Sequence, residues 1–307
     1  MFLMKVSEIG EFGLIRRLGE ILGEDFGDDC ARVKPEGRDL LLTVDVLVEG
    51  VHFLRRYPPE AVGWKAVSVN VSDLVGNGGY PRWILVSLIL PPDLEVSYVE
   101  RVYEGIKRAC NFYGCRVVGG NISRGDKVIL DVSAVGESTR PVGRSGARPG
   151  DLLFVSGTLG DSRAGLELLL MEKKEYEEFE LRLIERHLRP TARTDYVRHI
   201  QRYATASMDI SDGLVIDASH LSERSGVRVD IESERIPISA ELRLFCERHG
   251  KDPIEYALFG GEDYQLLFTH PAERWNPFLD MTPVGRISEG SGVYVDGEPK
   301  EGGHRHF

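Results

Sequence analysis

Short clusters of oxygen-bearing side chains recur along the 307-residue chain, each where a helix or strand is expected to end. Carboxylate, hydroxyl and amide oxygens are the ligands that Mg²⁺ takes in proteins, where it keeps several waters and shares its shell with phosphates. If six such clusters converge, the sequence predicts a site for several Mg²⁺ ions and a phosphate-bearing ligand. The clusters are Asp28 and Asp29, Thr43 and Asp45, Ser72 and Asp73, Asn121, Asp209 with Ser211 and Asp212, and Glu262 with Asp263.

Each cluster also has a purely structural explanation. Residues 27–29 could form a turn, Asp73 could lie on a helix surface, and Asp209 to Asp212 could cap a helix. Asp45 favours the metal hypothesis most strongly, because a carboxylate inside the apolar run LLLTVDVLV is costly unless it is paired or bound to metal. The segment GTLG (157–160) lacks the Gly-Lys-Ser/Thr of a phosphate-binding loop and is interpreted as a plain turn.

Composition narrows the function classes. With 38 Lys+Arg against 49 Asp+Glu, the net charge of −11 argues against binding to nucleic acid. No apolar run approaches the roughly 18 residues of a membrane span, so we expect no membrane partner. The N-terminal segment has no secretory pattern, and four sparse cysteines without a CxxC pair fit a reducing compartment. We therefore expect a cytoplasmic protein.

Strand and helix patterns alternate along the chain, which predicts an α/β or α+β fold. The length favours about two domains at roughly 150 residues each. The Gly/Pro/Arg-rich segment 141–150 is the best candidate linker, and 292–307 is expected to contain a hairpin. The predicted helices are 5–23, 60–75, 96–113, 173–188 and one capped by Ser211 or Asp212, and the main predicted strands are 39–48, 83–90, 115–118, 127–136 and 227–232.

The ordered motifs resemble those of thiamine-monophosphate kinases. This family belongs to a superfamily that also contains aminoimidazole ribonucleotide synthetase, selenophosphate synthetase and a hydrogenase maturation factor. The resemblance covers nearly the whole chain, with Cys30 where Ala is common and Asn121 where Asp is common. The matching segments are GDDCARV (27–33), TVDVLVEGVHF (43–53), SVNVSDLVGNGG (68–79), VVGGN (117–121), GRSGARPGD (143–151), VSGTLGDSRAGL (155–166), SMDISDGL (207–214), GGEDYQLLFT (260–269) and a terminal HF (306–307).

The resemblance implies a fold and a reaction. The implied N-terminal domain, residues 1–140, has a mixed sheet that pairs with that of a second subunit into a dimer barrel. The implied C-terminal α/β domain, residues 141–307, completes an active-site cleft. The implied reaction is in-line transfer of the γ-phosphate of ATP to thiamine monophosphate, assisted by several Mg²⁺ ions rather than by a catalytic side chain.

The resemblance also implies roles for individual residues. The Mg²⁺ ligands would be Asp28, Thr43, Val44 through its carbonyl, Asp45, Asp73, Asn121, Asp209 and Asp212. ATP would contact Tyr103, Gly120, Asn121, Arg144 and Ser211. Thiamine monophosphate would contact His52, Glu262 and Phe307.

Two other functions are compatible with the acidic clusters. One is another ATP-dependent synthetase of the same superfamily, acting on an amidine, selenide or carbamoyl group. The other is a module that binds Mg²⁺ and nucleotide without catalysis. Product identification separates both from the kinase.

Overall fold

The computed structural model describes residues 30–33, 39–274 and 279–302. The predicted helix 5–23, Asp28 and Phe307 lie outside these residues. Within them, the chain forms two β-sheets with helices packed against them. This arrangement confirms the predicted mixture of α and β structure.

The first sheet is mixed, with strand order β1-β2-β5-β3-β4. Strand β4 runs parallel to β3, whereas the other neighbours are antiparallel. Two 18-residue helices, α1 and α2, follow β2 and β3 in the chain. The bounds are β1 Ala31–Val33, β2 Asp39–Val48, α1 Pro59–Gly76, β3 Tyr80–Leu90, α2 Val96–Tyr113, β4 Arg116–Arg124 and β5 Ile129–Ser138.

Helix α1 is buried on nearly all sides. It packs closely on α2 because each helix has a glycine at the crossing. A Cβ atom at Gly63 would lie 1.9 Å from the Val102 carbonyl oxygen, and one at Gly105 would lie 2.0 Å from that of Glu60. A helix enclosed in this way can place side chains against both sheets at once.

The second sheet is mostly antiparallel, with strand order β12-β11-β8-β10-β6-β9-β7. Only β8 and β11 pair in parallel among its described strands. Its strands are β6 Leu152–Ser156, β7 Ala206–Ile210, β8 Arg228–Ile231, β9 Gln265–His270, β10 Met281–Ser288, β11 Gly292–Val295 and β12 Glu298–Pro299. The helices around it are α3 Asp161–Leu170, α4 Glu178–Leu188, α5 Val197–Tyr203, α6 Leu214–Ser225, α7 Ala240–His249 and α8 Pro253–Phe259.

The last strand of the first sheet ends at Ser138, and the first strand of the second sheet begins at Leu152. The predicted linker, residues 141–150, lies between them. One buried apolar cluster nevertheless contains residues from both sides, such as Leu74 and Phe154. The domain boundary at 140/141 therefore stays a prediction. None of the helices in the described ranges has the length and apolar character needed to cross a membrane.

Most predicted elements are confirmed, including β2, α2 and the β11–β12 hairpin. Two predictions were wrong. Strand β4 continues through Gly119 to Asn121, where a turn was expected, because pairing with β3 holds these residues extended. Helix α6 begins after Gly213 without a side-chain cap from Ser211 or Asp212.

Candidate active site

Helix α1 connects the acidic clusters of the two sheets. Towards the first sheet, the Thr43 hydroxyl on β2 donates to Asp73 Oδ2 at 2.5 Å. Towards the second, the adjacent Ser72 hydroxyl donates to Asp209 Oδ2 on β7 at 2.6 Å. Consecutive residues of one helix thus hold carboxylates from both halves of the chain close to each other.

Strand β2 presents Thr43 and Asp45 on the face that packs against the helices. Along this strand, Leu41 and Leu47 are buried, Thr43 and Asp45 are half-buried, and the intervening Val44 is exposed. The period of two explains how a carboxylate fits within an apolar run: Asp45 lies on the same face as the core residues but is only half-buried.

The buried phenol of Tyr264 shows that the acids converge. Burial raises the pKa of Tyr264 well above its usual value, and four nearby carboxylates raise it further. These carboxylates belong to β2, to α1, to β7 and to the loop before β9. Carboxylates from four elements therefore lie close enough to interact electrostatically with one buried side chain. They are Glu262, Asp45, Asp209 and Asp73.

The loop after β7 is held by an acid that the sequence argument missed. Asp217, in the first turn of α6, accepts the backbone N–H groups of Asp212 and Gly213 at 3.2 and 3.1 Å. Asp217 is buried, so these bonds fix the loop firmly. The available signal was an acidic residue in the predicted first turn of the helix, where its carboxylate can accept backbone N–H groups.

The loop before β9 runs beside the end of β7. The Glu262 backbone N–H donates to the Ser211 carbonyl at 2.7 Å, and that of Tyr264 donates to Ile210 at 2.9 Å. Glu262 has φ +63°, in the left-handed region that non-glycine residues rarely adopt. The structure therefore places Ser211, predicted for ATP, next to Glu262, predicted for the substrate.

His52 lies close enough to Glu262 to interact with it electrostatically. His52 Nδ1 accepts the Val48 N–H at 3.0 Å, which leaves the ring proton on Nε2. Burial opposes ionisation of Glu262, but the charge of Lys65 and its contact with the carboxylate outweigh burial and hold the pKa of Glu262 below its usual value. Of the predicted substrate contacts, these two are brought together, and Phe307 lies outside the described residues.

The residues predicted to contact ATP do not all lie near the acidic cluster within one chain. Asn121 on β4 aligns with Ser87, Asp131 and Val46 across the sheet, which puts it three strands, or about 14 Å, from β2. It also lies on the face opposite to Asp45. Its neighbour Gly120 approaches β3 so closely that a Cβ would lie 1.9 Å from the Val86 carbonyl oxygen.

Tyr103 and Arg144 occupy separate positions. Tyr103 is half-buried on α2 and packs against the core, and burial raises its pKa. Arg144 lies in the segment between the sheets, where its carbonyl accepts the Ser225 hydroxyl at 3.0 Å. Both therefore remain predicted ATP contacts.

The donor chemistry around α1 fits a hard cation. Thr43, Asp45, Asp73, Asp209 and Asp212 supply only hydroxyl and carboxylate oxygens, the type that Mg²⁺ binds. Among the residues that the structure describes, no three His, Cys, Asp or Glu side chains form a group ready to hold a metal ion. Mg²⁺ commonly takes one or two carboxylates and completes its shell with water and substrate phosphate, so pairs of acids suffice.

Comparison with known proteins agrees with this arrangement. Residues 27–138 match the family AIR synthase related protein, N-terminal domain. The thiamine-monophosphate kinase of Aquifex aeolicus is 68% identical over 308 residues, covering 99% of this chain and 100% of the relative. A solved structure described as AaThiL complexed with AMPPCP and TMP has a TM-score of 0.99 at 67% identity, covering 100% of both chains.

More distant structures share the fold alone. Hydrogenase maturation protein HypE in complex with ATP has a TM-score of 0.69 at 20% identity, covering 85% of this chain and 80% of that one. Residues 27–138 thus form a domain that matches the AIR synthase related family. Within that broader family, the chain belongs to the thiamine-monophosphate kinase family.

Proposed function

We propose that the chain transfers the γ-phosphate of ATP to the phosphate of thiamine monophosphate, giving ADP and thiamine diphosphate. The convergence of Asp45, Asp73, Asp209 and Glu262 around Tyr264 carries this proposal. It occurs in a chain that is 68% identical to a thiamine-monophosphate kinase over nearly its whole length. The structural relative with 67% identity is described as a complex with AMPPCP and TMP. AMPPCP is an ATP analogue, and we take TMP to stand for thiamine monophosphate.

The chain's contribution to catalysis is positioning. Thr43, Asp45, Asp73, Asp209 and Asp212 would hold Mg²⁺, joined by Asp28 and by the Val44 carbonyl. When bound, Mg²⁺ offsets the repulsion between the phosphates, which is about 4 kcal/mol per pair of unit charges at 4 Å and an effective dielectric constant of 20.

The acceptor needs no general base from the protein. A phosphate monoester has a second pKa of about 6, so it is mostly dianionic at pH 7 and is already a nucleophile. Holding it in line with the γ-phosphate is then the main requirement. His52 and Glu262 would fix the thiamine end of the acceptor, while Ser211 and Arg144 would fix the nucleotide.

Incubation of the purified chain with ATP, Mg²⁺ and thiamine monophosphate should yield thiamine diphosphate and ADP in equal amounts, measured by chromatography. Excess EDTA should stop the reaction, and excess Mg²⁺ should restore it. A formylglycinamidine ribonucleotide should not be converted. ATP consumption with that compound alone would favour a synthetase, and nucleotide binding without transfer would favour a non-catalytic module.

We also propose that two copies of the chain form the working unit. The outer face of the first sheet exposes four apolar side chains on either side of Ser133 and Asp131 of β5. Leu42, Val44, Val46 and Leu85 are 36, 58, 42 and 44% exposed, respectively. Exposed apolar side chains grouped on one face commonly mark an interface. A second copy packed there would face both Val44 and Asn121, two predicted Mg²⁺ ligands that lie on this outer face.

Leu85→Asp should convert a dimer into a monomer, because a carboxylate would be buried at the centre of this face. Sedimentation measures the state, and kinase activity should fall at least about tenfold if the partner completes the site. Val96→Asp is the control, since Val96 is 73% exposed on α2, away from the face. A dimeric Leu85→Asp variant, or a monomeric wild type, would contradict the proposed interface.

A reducing compartment suits the chain. Cys110, Cys115 and Cys246 are buried thiols outside any disulfide. Such thiols persist in the cytoplasm, where we place the protein.

A further inference from the structure

Helix α1 carries a buried lysine that the sequence analysis did not single out. The Lys65 side chain is only 4% exposed, and its Nζ lies 2.7 Å from Glu262 Oε1. A lysine is rarely enclosed unless a partner compensates its charge. Lys65 lies seven residues, or two helical turns, before Ser72. The face of α1 that holds Asp209 therefore also holds Glu262.

A second buried group contacts the other carboxylate oxygen of Glu262. His187 Nδ1, on α4, lies 3.4 Å from Glu262 Oε2 and 3.1 Å from the Ser162 hydroxyl. Burial, together with the nearby Lys65, lowers the pKa of His187 to about 3. The imidazole is therefore neutral at pH 7, and the cluster contains one positive and one negative charge.

Glu262 is thus held at its backbone, and its two carboxylate oxygens lie beside Lys65 and His187. Its N–H is bonded to Ser211, its φ of +63° is in a restricted region, and Lys65 and His187 enclose its head group. The Glu262 side chain is still 26% exposed, so it is not sealed from a ligand. A carboxylate offers about four lone-pair positions, so Lys65 does not exhaust its capacity as an acceptor.

We propose that Lys65 is the positioning residue that fixes Glu262 as a charge-compensated hydrogen-bond acceptor for the aminopyrimidine of the substrate. This inference rests on the proposed kinase function and decides which ring Glu262 contacts. Because Lys65 already balances the carboxylate charge, Glu262 offers little net attraction to the cationic thiazolium. It does offer an oriented, ionised oxygen to the amino N–H groups of the pyrimidine, where a charge-assisted bond is strong.

Lys65→Met should raise KM for thiamine monophosphate about ten- to hundredfold, as expected when a charge-assisted hydrogen bond is misaligned. The kcat value should change less than about threefold, and KM for ATP should stay the same. We also compare thiamine monophosphate with an analogue that has an oxo group in place of the pyrimidine amino group. The ratio of the two kcat/KM values should be smaller for the variant than for the wild type. Steady-state kinetics with both substrates measures these changes.

The double-mutant cycle with Glu262→Gln separates positioning from general stability. In the Glu262→Gln background, Lys65→Met should not raise KM further, because Lys65 acts only through that carboxylate. The double variant also removes both buried charges, so it provides the comparison if Lys65→Met alone does not fold. Ser68→Ala is the control on the same helix: its hydroxyl bonds Tyr113 at 2.9 Å, so melting should change while KM does not.

Three results would overturn the role of Lys65: an unchanged KM for thiamine monophosphate, equal increases in both KM values, or additive effects in the cycle. In each case the wild type still forms thiamine diphosphate. A wild type that forms none would instead overturn the proposed function, and the role of Lys65 with it.

Discussion

We expect Asp209→Asn to lower kcat by about a hundredfold or more, while its melting temperature should stay within about 3 °C of the wild-type value. In the wild type, the Ser72 hydroxyl donates a hydrogen bond to Asp209 Oδ2 at 2.6 Å. Asparagine keeps an oxygen that can accept this bond, so the local packing is preserved. The substitution removes one of the four negative charges around Tyr264. Cation binding weakens, whereas repulsion among the remaining acids in the unliganded chain decreases.

Asp151→Asn is the matched control for this substitution. Asp151 is also buried near the second sheet, but its Oδ2 accepts the Thr205 hydroxyl at 2.7 Å and the Arg148 N–H at 3.1 Å, away from the acidic cluster. The Asp151→Asn substitution should lower the melting temperature and leave kcat unchanged. Calorimetry and a Mg²⁺ titration of activity measure both effects. Near-normal activity of Asp209→Asn at low Mg²⁺ would contradict the proposed metal site.

Local patterns were sufficient to predict the elements that carry the site. The β-rich composition of residues 39–48 identified β2, and the helical pattern that ends at Gly114 identified α2. Asp45 was recognised because its residue type conflicts with its apolar surroundings. Such a conflict is visible in the sequence, since it involves only neighbouring residues.

Long-range partners could not be predicted in this way. Lys65 looks like an ordinary helix residue until Glu262, 197 positions later in the numbering, lies 2.7 Å away. Strand β4 was interrupted in the prediction at Gly119–Asn121, because glycines there indicate a turn. Pairing with β3 overrides that local preference and places Asn121 at the sheet edge.

A motif also does not say which copy of the chain its residues serve. Asn121 and Asp45 were assigned to one metal site by resemblance. Within one chain they lie on opposite faces of the sheet and three strands apart. Their assignment to one metal site therefore stays a prediction, and loss of kinase activity together with dimerisation in Leu85→Asp would indicate that a second chain completes the site.

Gly76→Ala should disrupt the contact on which the two acidic clusters depend. A Cβ atom at this last residue of α1 would lie 2.7 Å from the Asp209 backbone nitrogen and 3.0 Å from the Met208 carbonyl carbon. Because both contacts are backbone atoms, β7 must move away from α1. We expect a loss of about 1–3 kcal/mol in unfolding free energy and, since a 1 Å displacement of aligned groups is costly, a fall in kcat of about a hundredfold.

Gly226→Ala distinguishes this effect from instability alone. Gly226 ends α6 with φ +66°, and a Cβ atom there would meet no atom within 4 Å, so alanine adds backbone strain of about 1–2 kcal/mol without a clash. Its kcat should equal that of the wild type below the melting transition. If Gly76→Ala also kept its kcat when compared at equal folded fraction, the spacing between α1 and β7 would not control the site. Loss of kcat in Gly76→Ala alone would show that a single glycine sets the distance between acids contributed by the two sheets.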